Sequence, residues 1–328
     1  MGNAIRIGIV GYGNLGRGVL NALTFQSDMK TVGIFTRRAP ESITVTGPDV
    51  PVYSIDQAEQ FRNEIDVMIL CGGSKSDLPH QGPALAQIFN TVDSFDTHGD
   101  IPAYYDAIDA VARAARRTAM ISVGWDPGLL SLNRLYAAAV LPQGSTYTFW
   151  GEGLSQGHSD AIRRVPGVRH AAQYTIPIPS AIEQVRKGLE PVLTTREKHT
   201  RHCFVVLNDG ADADAVRQAI VTMPHYFSDY DTTVEFISEA EFQQDHTAMP
   251  HGGFVIHTGR TGADVNHTIE YALKLDSNPE FTASVLVAYA RATWRLNTRG
   301  EFGAKTVLDV PPALLSPRSE ADLRRELL

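Results

Sequence analysis

The chain has 328 residues, enough for two domains, and its 37 Asp and Glu against 29 Lys and Arg leave a net charge of -8, which excludes nucleic acid or an anionic membrane as its main partner. Two cysteines, Cys71 and Cys203, exclude a disulfide framework and a thiolate metal site and fit a reducing cytoplasm, while eleven histidines without HExxH-type spacing argue against any metal. No apolar run approaches the roughly 20 residues of a bilayer span, no signal peptide precedes the first strand, and Met1-Gly2 is followed by Arg6 where myristoylation requires Ser or Thr.

The first expected element is an apolar strand over 5–10, closed by Gly11-Tyr12-Gly13-Asn14-Leu15-Gly16 and an amphipathic helix through Leu15, Val19, Leu20 and Leu23. Such a strand, glycine turn and helix start can hold a pyrophosphate. Gly11 makes the tight turn, Gly13 admits phosphate close to the backbone, and Gly16 lets helix and strand pack. A second strand over 30–36 ends in Thr36-Arg37-Arg38. An NAD site usually ends this strand in an acid for the ribose 2′-hydroxyl, whereas a hydroxyl and two guanidinium groups suit a 2′-phosphate, so the expected cofactor is NADP. A strand over 50–54, a short helix from 55, a strand over 66–70, a helix over 83–89, a strand over 91–95, a helix over 101–116 and a strand over 118–123 follow. That alternation predicts an α/β, doubly wound, Rossmann-type parallel sheet. Ligands of such sheets sit beyond the carboxyl ends of the strands. Three of those ends carry Cys71-Gly72-Gly73-Ser74, Asp93-Ser94-Phe95-Asp96 and Gly124-Trp125-Asp126-Pro127-Gly128, expected to line one crevice.

From residue 129 the pattern changes to a helix and then longer strands over 146–150, 171–176, 202–207, 232–237, 253–258 and 267–275, with fewer helices between them. This predicts a mostly antiparallel, helix-covered α+β domain whose long strands suit a sheet-on-sheet homodimer. An amphipathic helix over 279–296 carries the chain back, and segments 305–310 and 320–327 complete the first domain. The expected division is an NADP-binding domain over 1–125, to which 297–328 return, and a substrate-binding and dimerisation domain over 126–296.

Asp96 and Asp126 each follow a strand of the dinucleotide domain, so both carboxylates can face the nicotinamide end of a cofactor. Two acids suit a substrate ammonium and an oxidation in which a carbon loses hydride, a proton is accepted and water adds to an imine. The spacing equally allows Asp126 as a helix N-cap and Asp96 as a turn residue. The stretch Gly151 to Ser159 reads as a carboxylate-binding helix entry or, more commonly, as a flexible connection. His251 is placed on a loop before a strand, where it either contacts a carboxylate or is merely solvated. Arg201 is an anion clamp or one charge of an exposed strand end. Arg163 and Arg164 are expected to face solvent, and Cys71 to pack as a small apolar residue under the cofactor.

The motifs GYGNLGRG, TRR, CGGS, SFDTH, GWDPGLLSLNR, YTFWGEGLSQGHSDAIRRVPGV, QYTIP, MPHGGFVI and LDSNPEFTAS together resemble the meso-diaminopimelate dehydrogenase family, in its longer form with the MPHGG segment. The resemblance spans residues 5–317, and GWDPG and GLSQGHSDA are much more specific than the glycine fingerprint. It implies NADP-dependent, reversible oxidative deamination of meso-2,6-diaminoheptanedioate at its D-centre, within lysine and cell-wall precursor biosynthesis, by a homodimer. It implies that Tyr12 to Leu15, Thr36 to Arg38, Cys71 to Ser74, Ser94 to Asp96 and Val123 to Pro127 line the cofactor. Asp96 and Asp126 match the acids near the reacting centre. Trp125, Trp150, Gln156 and Gly157 match pocket positions, and Thr175, Arg201, His251 and Asn278 match positions holding the distal end of the substrate, with Asn278 also assigned to the cofactor. A dihydrodipicolinate or sugar reductase would instead place a lysine or histidine near the nicotinamide, and Lys75, the only lysine nearby, gives that reading little support. A non-catalytic NADP sensor would carry a basic recognition helix that the second domain lacks.

Overall fold

Short apolar runs in the N-terminal part form six parallel strands, β1 (Ile5–Val10), β2 (Met29–Thr36), β3 (Val52–Ser54), β4 (Val67–Leu70), β5 (Asn90–Asp93) and β6 (Thr118–Met120), in a computed structural model that describes residues 4–328. Met1 and Gly2, weighed above as a lipidation signal, lie outside the described residues. Strands β4 and β6 are buried along their whole length, as a sheet covered on both faces requires. With a C-terminal strand, Gly303–Lys305, they form one seven-stranded sheet in the order Gly303–Lys305, β6, β5, β4, β1, β2, β3. The strand order reverses between β1 and β4, the switch point at which sheets of this class bind ligands.

Helices α1 (Asn14–Leu23), α2 (Leu78–Ala86) and α3 (Ile101–Ala114) connect these strands. Helix α2 starts five residues earlier than the 83–89 expected from the sequence. Pro79 occupies its first turn, where no backbone donor is needed, and Pro83 sits inside the helix rather than opening it. Helix α4 (Leu129–Val140) follows β6.

The chain divides into two units, residues up to Leu132 with Pro279–Leu328, and Asn133–Asn278. The second unit holds two sheets. One is antiparallel, built from β7 (Gly144–Trp150), β12 (His251–Gly262) and β13 (Val265–Leu275), in the order β13, β12, β7. The other contains β8 (Gly153–Leu154), β9 (Val168–Pro177), β10 (His199–Leu207) and β11 (Asp231–Phe236), in which β10 and β11 run parallel. A parallel neighbour needs a crossover, and α8 (Ala213–Val221) supplies it. Helices α5 (Gln156–Arg163), α6 (Pro179–Arg186), α7 (Thr195–Lys198) and α9 (Glu239–Asp245) also punctuate this unit, more helix than its sequence pattern suggested.

Helix α10 (Asn278–Thr298) returns the chain to the first unit, and α11 (Glu320–Leu327) ends it. Ala283, Leu286, Val287, Ala290 and Leu296 of α10 pack in one core with Ile7, Ile9, Val19 and Leu20. The same helix carries Arg291, 1 % exposed, whose Nε and Nη2 grip the Asp28 carboxylate at 2.7 Å while Nη1 donates to the Leu315 carbonyl. That fork holds the Asp28 carboxyl below the usual carboxylate range. Among the described residues no helix is long and apolar enough to cross a membrane.

Candidate active site

In the first unit the glycine turn after β1 has the shape its sequence demands. Gly11 has φ +91° and donates to the Phe35 carbonyl at 2.8 Å, joining the ends of β1 and β2. A Cβ on Gly16 would lie 2.1 Å from the Gly11 carbonyl oxygen, so only glycine permits this approach, whereas a Cβ on Gly13 would meet open space. Gly13 caps α1 without a side-chain partner, and Gly11, Tyr12 and Gly13 line a cleft of about 470 Å³. The cleft is lined by Tyr12, Thr36, Arg37, Arg38, Cys71 and Gly72, among others, and suits a dinucleotide phosphate.

The two arginines after β2 are not equivalent. Arg38 Nη2 donates to the Tyr12 carbonyl at 3.0 Å, and its backbone N–H donates to Thr36 Oγ1 at 3.1 Å. Arg37 instead pairs with Asp77 at 2.8 Å, and the other oxygen of that carboxylate accepts the Gly73 N–H at 3.0 Å. Asp77, which sequence reading passed over, thus ties the loop after β4 to the loop after β2. Arg38→Ala is expected to raise the KM for NADP about tenfold while leaving that for NAD nearly unchanged, since a charge-assisted bond to phosphate carries on the order of 1.5 kcal/mol. Coenzyme kinetics with both nucleotides check this, and equal losses with both would remove Arg38 from the 2′-phosphate site. Cys71 is half-buried in the same cleft, and its apolar surroundings push the thiol well above its ordinary range.

The acid-bearing strand ends lie beyond β5 and β6. Asp96 is exposed, and its N–H donates to Ser74 Oγ at 3.0 Å, linking the segments after β4 and β5. Asp126 is half-buried in a tight turn in which a Cβ on Gly128, φ +136°, would come within 1.8 Å of the Gly124 carbonyl oxygen. Buried Trp125 precedes it, and α4 starts three residues after it, at Leu129.

In the second unit the geometry centres on Arg201. This residue of β10 pairs in register with Thr175 of β9, and its Nη1 donates to the Thr175 hydroxyl. Its guanidinium carbon lies 3.9 Å from the centroid of the Tyr230 ring. Arg201 is only 7 % exposed, so it is no exposed strand end, and burial lowers its affinity for a proton. His251 likewise is not on a loop. It opens β12, is buried, and its Nδ1 lies 2.8 Å from the Gly252 nitrogen and 3.1 Å from the Gly252 carbonyl oxygen. Gly153, paired with Thr175, makes room for that ring, because a Cβ there would lie 2.5 Å from His251 Cγ. Gln156 and Gly157 are exposed at the start of α5. Gln156 Nε2 reaches Met249 Sδ at 2.7 Å, and the Met249 carbonyl accepts the Asn278 N–H at 2.9 Å, so these positions form a second group. Arg163 and Arg164 end and cap α5, with Arg163 bonded to the Ala171 carbonyl at 2.9 Å.

Trp150, at the end of β7, is held by a residue the sequence did not mark. His199, 2 % exposed, accepts the Trp150 N–H on Nε2 at 2.9 Å and stacks on the indole with centroids 5.5 Å apart. Burial, then Arg201 and Lys198, lower the imidazole pKa from 6.5 to about 3. An unfolded histidine titrates near 6.5, so the neutral ring's contribution is complete above that pH and is lost as pH falls toward 3. At about pH 5 the loss reaches roughly 2 kcal/mol. Thermal unfolding of His199→Gln should therefore show a smaller drop between about pH 7 and 5 than the parent protein, and parallel curves would refute the assignment.

Residues 124–277 match the family model described as the diaminopimelic acid dehydrogenase C-terminal domain. The meso-diaminopimelate D-dehydrogenase of Lysinibacillus sphaericus is 62% identical over 326 residues, covering 99% of this chain and 100% of its own. Among solved structures, Corynebacterium glutamicum DAP dehydrogenase in complex with DAP aligns at a TM-score of 0.93 and 49% identity, covering 100% of both chains. An engineered D-amino acid dehydrogenase bound to NADP+ aligns at a TM-score of 0.88 and 48% identity, covering 99% of this chain and 100% of its own.

Proposed function

The chain belongs to the meso-diaminopimelate dehydrogenase family, and on that premise we propose that it catalyses the reversible, NADP-dependent oxidative deamination of meso-2,6-diaminoheptanedioate at its D-centre, giving L-2-amino-6-oxoheptanedioate, ammonia and NADPH. The observation that carries the substrate reading is Arg201, a buried guanidinium with no carboxylate partner among the described residues. Burying an uncompensated charge is unfavourable. A substrate carboxylate compensates it.

Bound at the Gly11 to Gly16 turn, with Thr36 and Arg38 toward its 2′-phosphate, NADP supplies the hydride acceptor. The rest falls to side chains. Asp96 and Asp126 hold the ammonium of the D-centre, take its proton as the carbon loses hydride, and then deprotonate the water that adds to the carbon–nitrogen double bond. Arg201, Thr175 and His251, with Asn278, hold the amino acid group at the L-end. Trp125, Trp150, Gln156 and Gly157 contribute further substrate contacts. Holding the L-end fixes which hydrogen of the other centre meets the nicotinamide, and this separates two ends that differ only in handedness.

The test follows NADPH absorbance with the meso, LL and DD isomers. We expect rapid reduction of NADP with meso-diaminopimelate, much slower reduction with the DD isomer, and none with LL. Inactivity with all three would overturn the reading. A homodimer formed through the second unit is part of the same proposal. Its support is β13, an edge strand whose Val265 and Ile269 are 51% and 37% exposed. Sedimentation at twice the 35.8 kDa chain mass is the expected result. The free thiols of Cys71 and Cys203 suit a cytoplasmic setting.

A further inference from the structure

A third carboxylate lies beneath the two acids. Asp93, the last residue of β5, is 1 % exposed and is not among the residues that line the dinucleotide cleft. Its Oδ1 accepts two backbone N–H groups, from Phe95 at 3.0 Å and from Ser122 at 3.1 Å. Its Oδ2 accepts the Tyr104 hydroxyl at 2.8 Å, and its main-chain carbonyl accepts the Val123 N–H at 2.9 Å. Phe95 immediately precedes Asp96 and stacks on Tyr104 with ring centroids 4.1 Å apart. Ser122, at φ +57°, and Val123 lead into the turn that carries Asp126. Gly82 of α2 gives the Tyr104 hydroxyl its place, since a Cβ there would lie 2.2 Å from that oxygen.

One carboxylate therefore bonds the segments leading to both acids. Its burial disfavours charge, pushing the carboxyl up to about 6 against the three donors that favour the ionised form. An apolar residue there would avoid that cost, yet would leave two N–H groups and a hydroxyl unpaired.

We propose that Asp93 is a positioning residue for the deamination, setting the spacing of Asp96 and Asp126 by holding the starts of both strand-end segments without touching substrate. The inference rests on the reading of Asp96 and Asp126 as the acids of the D-centre. Catalysis depends on such spacing steeply, because a displacement of about 1 Å in a catalytic group can lower the rate on the order of a hundredfold.

Three variants test it. Asp93→Ala breaks all three side-chain bonds. Asp93→Asn keeps an oxygen for both N–H groups and turns an NH2 toward the Tyr104 oxygen. Tyr104→Phe removes only the hydroxyl. The readouts are kcat and KM with meso-diaminopimelate, the primary isotope effect with substrate deuterated at the D-centre, and the Kd of 2′,5′-ADP, which probes the distant 2′-phosphate end alone. For Asp93→Ala we expect kcat to fall about thirtyfold with an enlarged isotope effect, KM to change less than about threefold, and the Kd of 2′,5′-ADP to change less than about twofold. Asp93→Asn should recover kcat to within about threefold of the parent. If Asp93→Ala does not fold, Tyr104→Phe stands in, with a severalfold fall in kcat and unaltered 2′,5′-ADP binding. The proposal is overturned if kcat and 2′,5′-ADP affinity fall together, if Asp93→Asn is as impaired as Asp93→Ala, or if Asp93→Ala or its stand-in keeps the parent kcat. Parent-like kcat in Asp96→Asn and Asp126→Asn would overturn the underlying assignment of the acids, and this inference with it.

Discussion

Arg201→Ala is expected to raise the KM for meso-diaminopimelate about a hundredfold while lowering kcat less than about threefold, because it removes a charge partner from the end of the substrate that does not react. The fold should survive the change. Arg201 donates to the Thr175 hydroxyl and lies against the Tyr230 ring, and its burial already works against its charge, so alanine removes a desolvated cation rather than a supporting ion pair. Thermal unfolding within a few degrees of the parent is the accompanying control. A collapse of kcat at unchanged KM would move Arg201 from the distal carboxylate to the reacting centre.

Asp126→Asn should show the opposite split, with kcat about a hundredfold lower and KM nearly unchanged. Asparagine has the shape of aspartate and fits the same turn between Gly124 and Gly128, but it cannot take a proton from the nitrogen or from the attacking water. Saturating kinetics with meso-diaminopimelate decide the matter. A variant that binds poorly yet turns over at the parent rate would make Asp126 a simple substrate contact.

Much of the first unit was legible because each parallel strand is a short apolar run closed by its own loop motif. Val67–Leu70 is buried throughout, and the glycine turn after Val10 carries its geometry in its letters. Helix α2 was misplaced because its two prolines look alike in sequence, while one sits in the first turn and the other in the interior. The second unit was harder. Its helices between β9 and β12 are 4 to 9 residues long and too short to set up a clear period, although the caps Asp212 and Ser238 were present as signals.

At the site, the strand-end positions of Asp96 and Asp126 followed from the pattern of alternation, whereas the burial of Arg201 and His251 did not. A charged strand residue in a polar run such as Lys198-His199-Thr200-Arg201-His202 reads as exposed until the facing strand is known. The anchoring role of Asp93, legible only as part of a strand-end motif, and that of His199 escape the sequence for a further reason. Each has a decisive partner far along the chain, Ser122 at 29 residues from Asp93 and Trp150 at 49 from His199, and nothing local distinguishes an aspartate that ends a strand from one that anchors two loops.

The pairing of Arg37 with Asp77 changes the charge balance of the proposed 2′-phosphate pocket. Two guanidinium groups in sequence amount to one net positive charge in space, contributed by Arg38. The phosphate is thus discriminated by one cation and by neutral donors such as Thr36. Coenzyme choice then depends on a carboxylate as much as on the arginines: neutralising Asp77 would free a second cation for NADP, and removing Arg37 would expose an anion to it. The same carboxylate holds the Gly73 loop, so any retuning of coenzyme preference at this point also loosens the segment that, through Ser74, supports Asp96.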